Sequence, residues 1–141
     1  MGEYLDPMDI YQFDSARRKT RLGYAQDNAQ NNLQRSQLRS QSQIQRKDLN
    51  YKFGQIRQQL PGGFAKRNLL NSGIYGDALR QYAKQREMAT NAQMTGYMNQ
   101  FGQLGLQRAQ TNDTYANSMA DIIEAENAKR ATLASQLKEA Y

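Results

Sequence analysis

From Asp14 to Gln59 the chain contains no proline, and its only glycines there are Gly23 and Gly54. A run of that length without a backbone breaker forms a long helix or no regular structure at all. Composition decides for helix. Val is absent, Ile and Thr are scarce, and Ala, Leu, Gln and Arg are abundant, a mixture that favours helix and starves strands. Asp14 or Ser15 can cap the N-terminus, because a short side-chain oxygen accepts an orphan amide there. Leu60-Pro61-Gly62-Gly63 is expected to end the helix. Pro61 disfavours the α conformation in the residue before it, and the two glycines release the backbone. At about 1.5 Å per residue such a helix is roughly 70 Å long, too long for a small globule.

The remaining segments follow from similar signals. Residues 1–13 are acidic, aromatic and contain Pro7, and are expected to form an extended arm. Residues 14–60 form the long basic helix. Residues 61–73 form a turn that holds a short helix from Phe64 to Leu70. Within it Leu69 and Leu70 are expected to pack against the long helices, and Gly73 to supply a left-handed backbone conformation. Ser72 is the next N-cap. Residues 74–141 form a second long helical region, with a kink or break expected at Thr111-Asn112-Asp113-Thr114. The expected fold is therefore all-α: an extended, non-globular hairpin of long helices with a short helix in the connecting turn, assembled in a symmetric oligomer.

The first helix carries two apolar stripes. Leu22, Leu33 and Ile44 share one side with Ala25, Ala29 and Tyr51; Leu38, Leu49, Phe53, Ile56 and Leu60 lie opposite, with Phe13 and Tyr24. Leu22, Leu33 and Ile44 are eleven residues apart, as are Leu38, Leu49 and Leu60. An 11-residue repeat gives about 3.67 residues per turn, which favours straight or slightly right-handed packing over a heptad coiled coil. One partner helix cannot cover both stripes. A helix of this kind suits a position between two neighbours, in a ring or a sheaf of identical copies. Gln26, Gln30, Gln34, Gln37 and Gln41 lie between the stripes and can hydrogen-bond a neighbour without demanding a counter-charge.

Charge is segregated along the chain. Residues 1–16 hold four acids and no base, residues 17–86 hold fifteen bases against three acids, and residues 87–141 hold four bases against six acids. The basic middle points to a polyanion or to an acidic protein partner; the alternative is a solvated helical face. The candidate contact residues on the first helix are Arg17, Arg18, Lys19, Arg21, Arg35, Arg39, Arg46, Lys47, Lys52 and Arg57. No groove-reading motif accompanies them, so contact with double-stranded DNA would be to phosphate and independent of sequence.

Chemistry has little to stand on. The sequence has no His and no Cys, which removes the usual zinc ligands, the Cys nucleophile, the His base and any disulfide framework. No phosphate-cradling glycine motif occurs. Asp121, Glu124 and Glu126 are close in sequence, but on a helix they read as a solvated face and not as a glycosidase pair. No catalytic residue, metal site or cofactor is expected. No apolar run is long enough to span a membrane, and no secretory signal pattern opens the sequence.

Ala65-Lys66-Arg67-Asn68-Leu69-Leu70-Asn71-Ser72-Gly73, followed by Ala78-Leu79 and a long Gln/Ala/Tyr-rich helix, resembles a pattern in small virion proteins of tailed bacteriophages. The resemblance covers about residues 64–86. The chain departs from the family at Asn68, where Gly is common, a difference that bears on the local turn. The resemblance implies a non-enzymatic structural component of the particle, made in the host bacterial cytoplasm. It would sit at the head–tail junction, against portal or tail-channel proteins, or be carried inside and ejected with the genome. A second reading is a nucleic-acid-binding or scaffolding protein that orders on binding its partner.

Overall fold

A computed structural model describes residues 5–140. They form two helices, α1 (Pro7–Lys66) and α2 (Gly73–Ala140), and no strand occurs among the described residues. The chain divides into two compact units. Unit 1 joins Met1–Leu33 with Gly105–Tyr141; unit 2 is Gln34–Leu104. In each, a stretch of α1 packs antiparallel against a stretch of α2.

The start of α1 corrects the expected arm. Asp6 is the N-cap: its carboxylate accepts from the Met8 amide at 3.1 Å, and its carbonyl accepts from the Ile10 amide at 3.0 Å. Pro7 then stands at the first helical position, where its missing N–H costs nothing and its fixed φ suits the helix. Residues 7–13 are therefore helical, and Asp14 and Ser15 are interior. The first four residues of the expected arm lie outside the described residues.

The expected stop at Leu60-Pro61 is also corrected. α1 runs through Pro61, Gly62 and Gly63 to Lys66, and no separate short helix exists. Proline in a helix interior forfeits one hydrogen bond and crowds the carbonyl four residues back. Packing outweighs that here: Leu60, Pro61 and Phe64 are half-buried, and the Phe64 ring meets Tyr75 of α2 at 5.2 Å.

The chain stops instead at Asn68, the one non-glycine with positive φ among the described residues (55°); no described glycine has one. The Leu69 amide donates to the Phe64 carbonyl at 2.9 Å, and the Asn68 amide to the Ala65 carbonyl at 3.1 Å. This pair of bonds is a Schellman motif with Asn68 in the left-handed position. Gly73, expected to be left-handed, is the first residue of α2. Ser72 caps that helix, its hydroxyl accepting from the Tyr75 amide at 3.4 Å. Leu69 is half-buried, whereas Leu70 is exposed.

α2 does not break at residues 111–114. Unit 1 holds this stretch in place: Asn112 Oδ1 accepts from the Tyr24 hydroxyl at 2.8 Å, and Tyr115 stacks on Tyr24 with ring centroids 4.3 Å apart.

Candidate assembly surfaces and basic face

Apolar burial is sparse. Among the described residues only Leu5 and Phe53 are buried apolar side chains, and Asn31 and Ser42 are buried polar ones. Asn31, Ser42 and Phe53 are eleven residues apart, so the inner line of α1 follows the hendecad spacing. It is a mostly polar line, flanked in unit 2 by the half-buried Leu38, Leu49 and Leu60.

In unit 2 the helices meet through a polar rung and an aromatic one. Gln93 Nε2 donates to Ser42 at both its hydroxyl (3.0 Å) and its carbonyl (3.2 Å). Eleven residues along each helix, Tyr82 donates to the Phe53 carbonyl at 2.8 Å, and the two rings meet edge-on at 5.9 Å. A small cavity beside the first rung is lined by Leu38, Gln41, Gln45, Tyr97 and Gln100. Gln93 Oε1 is enclosed without a hydrogen-bond partner. Aromatic contacts geared to a hydrogen bond tolerate no register slip, whereas a Ser–Gln rung contributes little apolar area. Such pairing fixes alignment more than it adds stability.

Unit 1 adds ion pairs to the Tyr24–Tyr115 stack. Glu126, almost enclosed at 13% exposure, forms ion pairs with Arg17 of α1 and with Arg130 one turn along α2 (3.0 Å). Arg17 also reaches Asp14 at 3.2 Å, and Lys129 lies 3.9 Å from Asp9. Thr20 turns its hydroxyl back to the Ala16 carbonyl at 2.9 Å.

The two stripes of α1 have different fates. Phe53 is buried, Leu38, Leu49 and Leu60 are half-buried, and Ile56 is at the edge, 37% exposed. On the other side Leu22 and Leu33 of unit 1 and Ile44 and Tyr51 of unit 2 are all more than half exposed. α2 adds Met88, Met94 and Met98 in unit 2 and Leu106 and Ile123 in unit 1. Neither helix gathers its apolar residues on a single face, so pairing the two covers only part of the apolar surface.

The fold redistributes the basic segment. Unit 2 holds eleven Lys/Arg against three Asp/Glu, a net of +8, and unit 1 holds eight against ten, a net of −2. Of the ten candidate cations on α1, Arg18, Lys19 and Arg21 are exposed on unit 1, and Arg39, Arg46, Lys47, Lys52 and Arg57 on unit 2. Arg17 and Arg35 are not. Arg17 belongs to the Glu126 cluster. The Arg35 guanidinium sits over the Phe101 ring, 4.4 Å from its centroid, with Nε enclosed and unpartnered. Spacing shows that a cation is on a helix, and not which way it turns, so Arg17 and Arg35 look like the exposed cations in the sequence.

No group of His, Cys, Asp or Glu among the described residues could hold a metal ion, and no described helix is long and apolar enough to cross a membrane. Compared with known proteins, the chain matches no family, no curated protein and no solved structure.

Proposed function

We propose that the chain is a structural subunit of a tailed-phage virion, working by assembly and not by catalysis. It would pack in several symmetric copies at the portal or head–tail channel, or travel inside the particle and leave with the genome. The carrying observation is the imbalance, among the described residues, between two buried apolar side chains and sixteen large apolar side chains left exposed. Isolated exposed hydrophobics are ordinary on a protein surface. Here, however, Leu22, Leu33 and Ile44 recur at eleven residues on α1, the spacing that the inner line of that helix also uses. A second helix pair laid against these residues would complete the packing that the first pair leaves unfinished. The resemblance at residues 64–86 supplies the phage context.

Two measurements test the reading. Purified particles from the phage that encodes the chain should contain it at a stoichiometry matching a ring or a sheaf, and absence from particles sinks the virion assignment. The isolated protein should self-associate, with helicity that rises with concentration, because paired helices with little apolar burial gain stability from further packing. A sharp melting transition independent of concentration would refute the assembly assignment.

The charge of unit 2 favours a second reading, a nucleic-acid-binding or scaffolding protein that orders on its partner. Arg39, Arg46 and Arg57 are solvent-facing and available to phosphate. The two readings separate on particle content: a scaffold or chaperone is lost before maturation, whereas a structural subunit stays or is ejected.

A further inference from the structure

The last three turns of α1 carry a shallow groove of about 300 Å³, lined by Ile56, Gln59, Leu60, Gly63, Phe64 and Arg67. Its floor is apolar and its rim carries a guanidinium. Gly63 lines it and is exposed, and a Cβ built there meets no atom within 4 Å, so a side chain can be added there without a clash. Gly63 has a helical, negative φ, so its lack of a side chain answers no backbone demand. Lys66 and Arg57 add exposed cations nearby.

The first turns of α1 have the complementary chemistry. Met8 and Tyr11 stand three residues apart on one face, 63% and 67% exposed. Around them are Asp6, Asp9 and Asp14, with no base before Arg17. Asp9 is engaged by Lys129, but the Asp14 side chain remains 58% exposed although it pairs with Arg17. These turns therefore present two projecting apolar side chains in an acidic surround, and the groove presents an apolar hollow in a basic surround.

We propose that this groove receives Met8 and Tyr11 from the first turns of α1 in a second copy of the chain. The contact is heterologous, since each copy offers one groove and one projection. Heterologous contacts build rings when the rotation closes and filaments when it does not. Both surfaces are small beside the roughly 1,000 Å² of a stable specific interface, so the joint is weak by itself and strengthens when lateral neighbours hold copies together. It uses residues separate from the Leu22, Leu33 and Ile44 stripe, so it goes beyond the lateral packing proposed above and can fail independently of it.

The test replaces Tyr11 with photoreactive benzoylphenylalanine in the full-length chain. Equal amounts of isotopically light and heavy protein are mixed and irradiated, and the crosslinks are mapped by mass spectrometry. The expected result is light-to-heavy crosslinks from position 11 to residues 56–67. Gly63→Glu fills the groove and adds a carboxylate facing acidic residues. It also improves helix propensity, so the protein should remain folded by circular dichroism, and the crosslink yield should fall by about tenfold or more. Leu33→Glu, where it abolishes lateral association, should lower this yield without moving the crosslinks away from residues 56–67. Mixing Met8→Glu/Tyr11→Glu protein with Gly63→Glu protein should give pairs that do not extend, because one intact joint remains. Crosslinks within a single chain only, crosslinks to other residues only, no crosslinks at all, or a yield that Gly63→Glu leaves unchanged would each overturn the proposal.

Discussion

The Tyr82 hydroxyl donates to the main-chain carbonyl of Phe53, and the Phe53 ring meets the Tyr82 ring edge-on. Two residues thus supply both an apolar contact and a polar one across unit 2, and Phe53 is the one buried apolar side chain of that unit among the described residues. The two components can be separated. Phe53→Ala removes the ring and should destabilise unit 2 by about 3 kcal/mol, the low end for a buried aromatic because the site is open to collapse. Tyr82→Phe keeps the ring and removes only the hydrogen bond. The Phe53 carbonyl retains its helical acceptor role, so the loss should be about 1 kcal/mol. Thermal melts followed by circular dichroism at fixed concentration should order the proteins as wild type, Tyr82→Phe, Phe53→Ala. A Phe53→Ala protein that melts with wild type would show that the ring contact contributes nothing.

Asn68 carries the turn. Its φ of 55° lies in the left-handed region, which costs a residue with a branched side chain about 1–2 kcal/mol and glycine almost nothing. Asn68→Gly should therefore be neutral or slightly stabilising. Asn68→Val should lower Tm and weaken the cap formed by the Leu69 and Asn68 amides. Asn and Gly are the two residue types that this conformation favours. A Val variant as stable as the Gly variant would contradict the assigned backbone.

Much of this fold was legible in the sequence, and the parts that were not share a cause. The helical class followed from the absent Val and the long stretches without proline. The helix ends differ from what the two prolines suggest in the sequence. Pro7 begins α1 because Asp6 caps it, and Pro61 lies inside α1 because Phe64 and Tyr75 hold the following turn. Neither circumstance is visible without the partner residue. The inner line was harder to see, since Asn31 and Ser42 are polar and no scan for apolar residues selects them. Leu38, Leu49 and Leu60 indicated the correct side of α1, but only as flanks. The turned-in cations were also hidden. Arg35 and Arg39 are four residues apart in the same basic run, yet one lies on Phe101 and the other is exposed.

Glu126 anchors unit 1 through Arg17 and Arg130. Glu126→Gln keeps the shape and removes the charge, leaving Arg130 without its counter-ion and Arg17 with Asp14 alone. The expected cost is about 2 kcal/mol, between an exposed pair and a fully buried one. Because the pairs are partly exposed, added salt should weaken them in the wild type and have less effect in the variant. The measurement is Tm against sodium chloride concentration for both proteins. Coincident lines would mean that the cluster contributes nothing to stability in solution.

The exposed arginines of unit 2 test the DNA contact more sharply than the whole basic segment does. Each phosphate neutralised on duplex DNA contributes about −0.9 to the slope of log K against log salt. Replacing Arg39, Arg46 and Arg57 by Gln removes three solvent-facing charges while retaining residues that favour helix. If these side chains meet phosphate, the slope should flatten by up to about three units, with the same loss on any duplex sequence. Arg35→Gln provides the control. That guanidinium is committed to the Phe101 ring, so its loss should lower Tm through the missing cation–π contact, worth about 1 kcal/mol, and leave the slope almost unchanged. The distinction matters because any removal of positive charge weakens non-specific attraction to DNA somewhat. A direct phosphate contact changes the number of counter-ions released; a distant charge does not. Equal changes in slope from Arg35→Gln and from each exposed replacement would mean that only the net charge of unit 2 is felt. A wild-type protein that shows no salt-sensitive binding, even when oligomeric, would direct the basic face to an acidic protein surface instead.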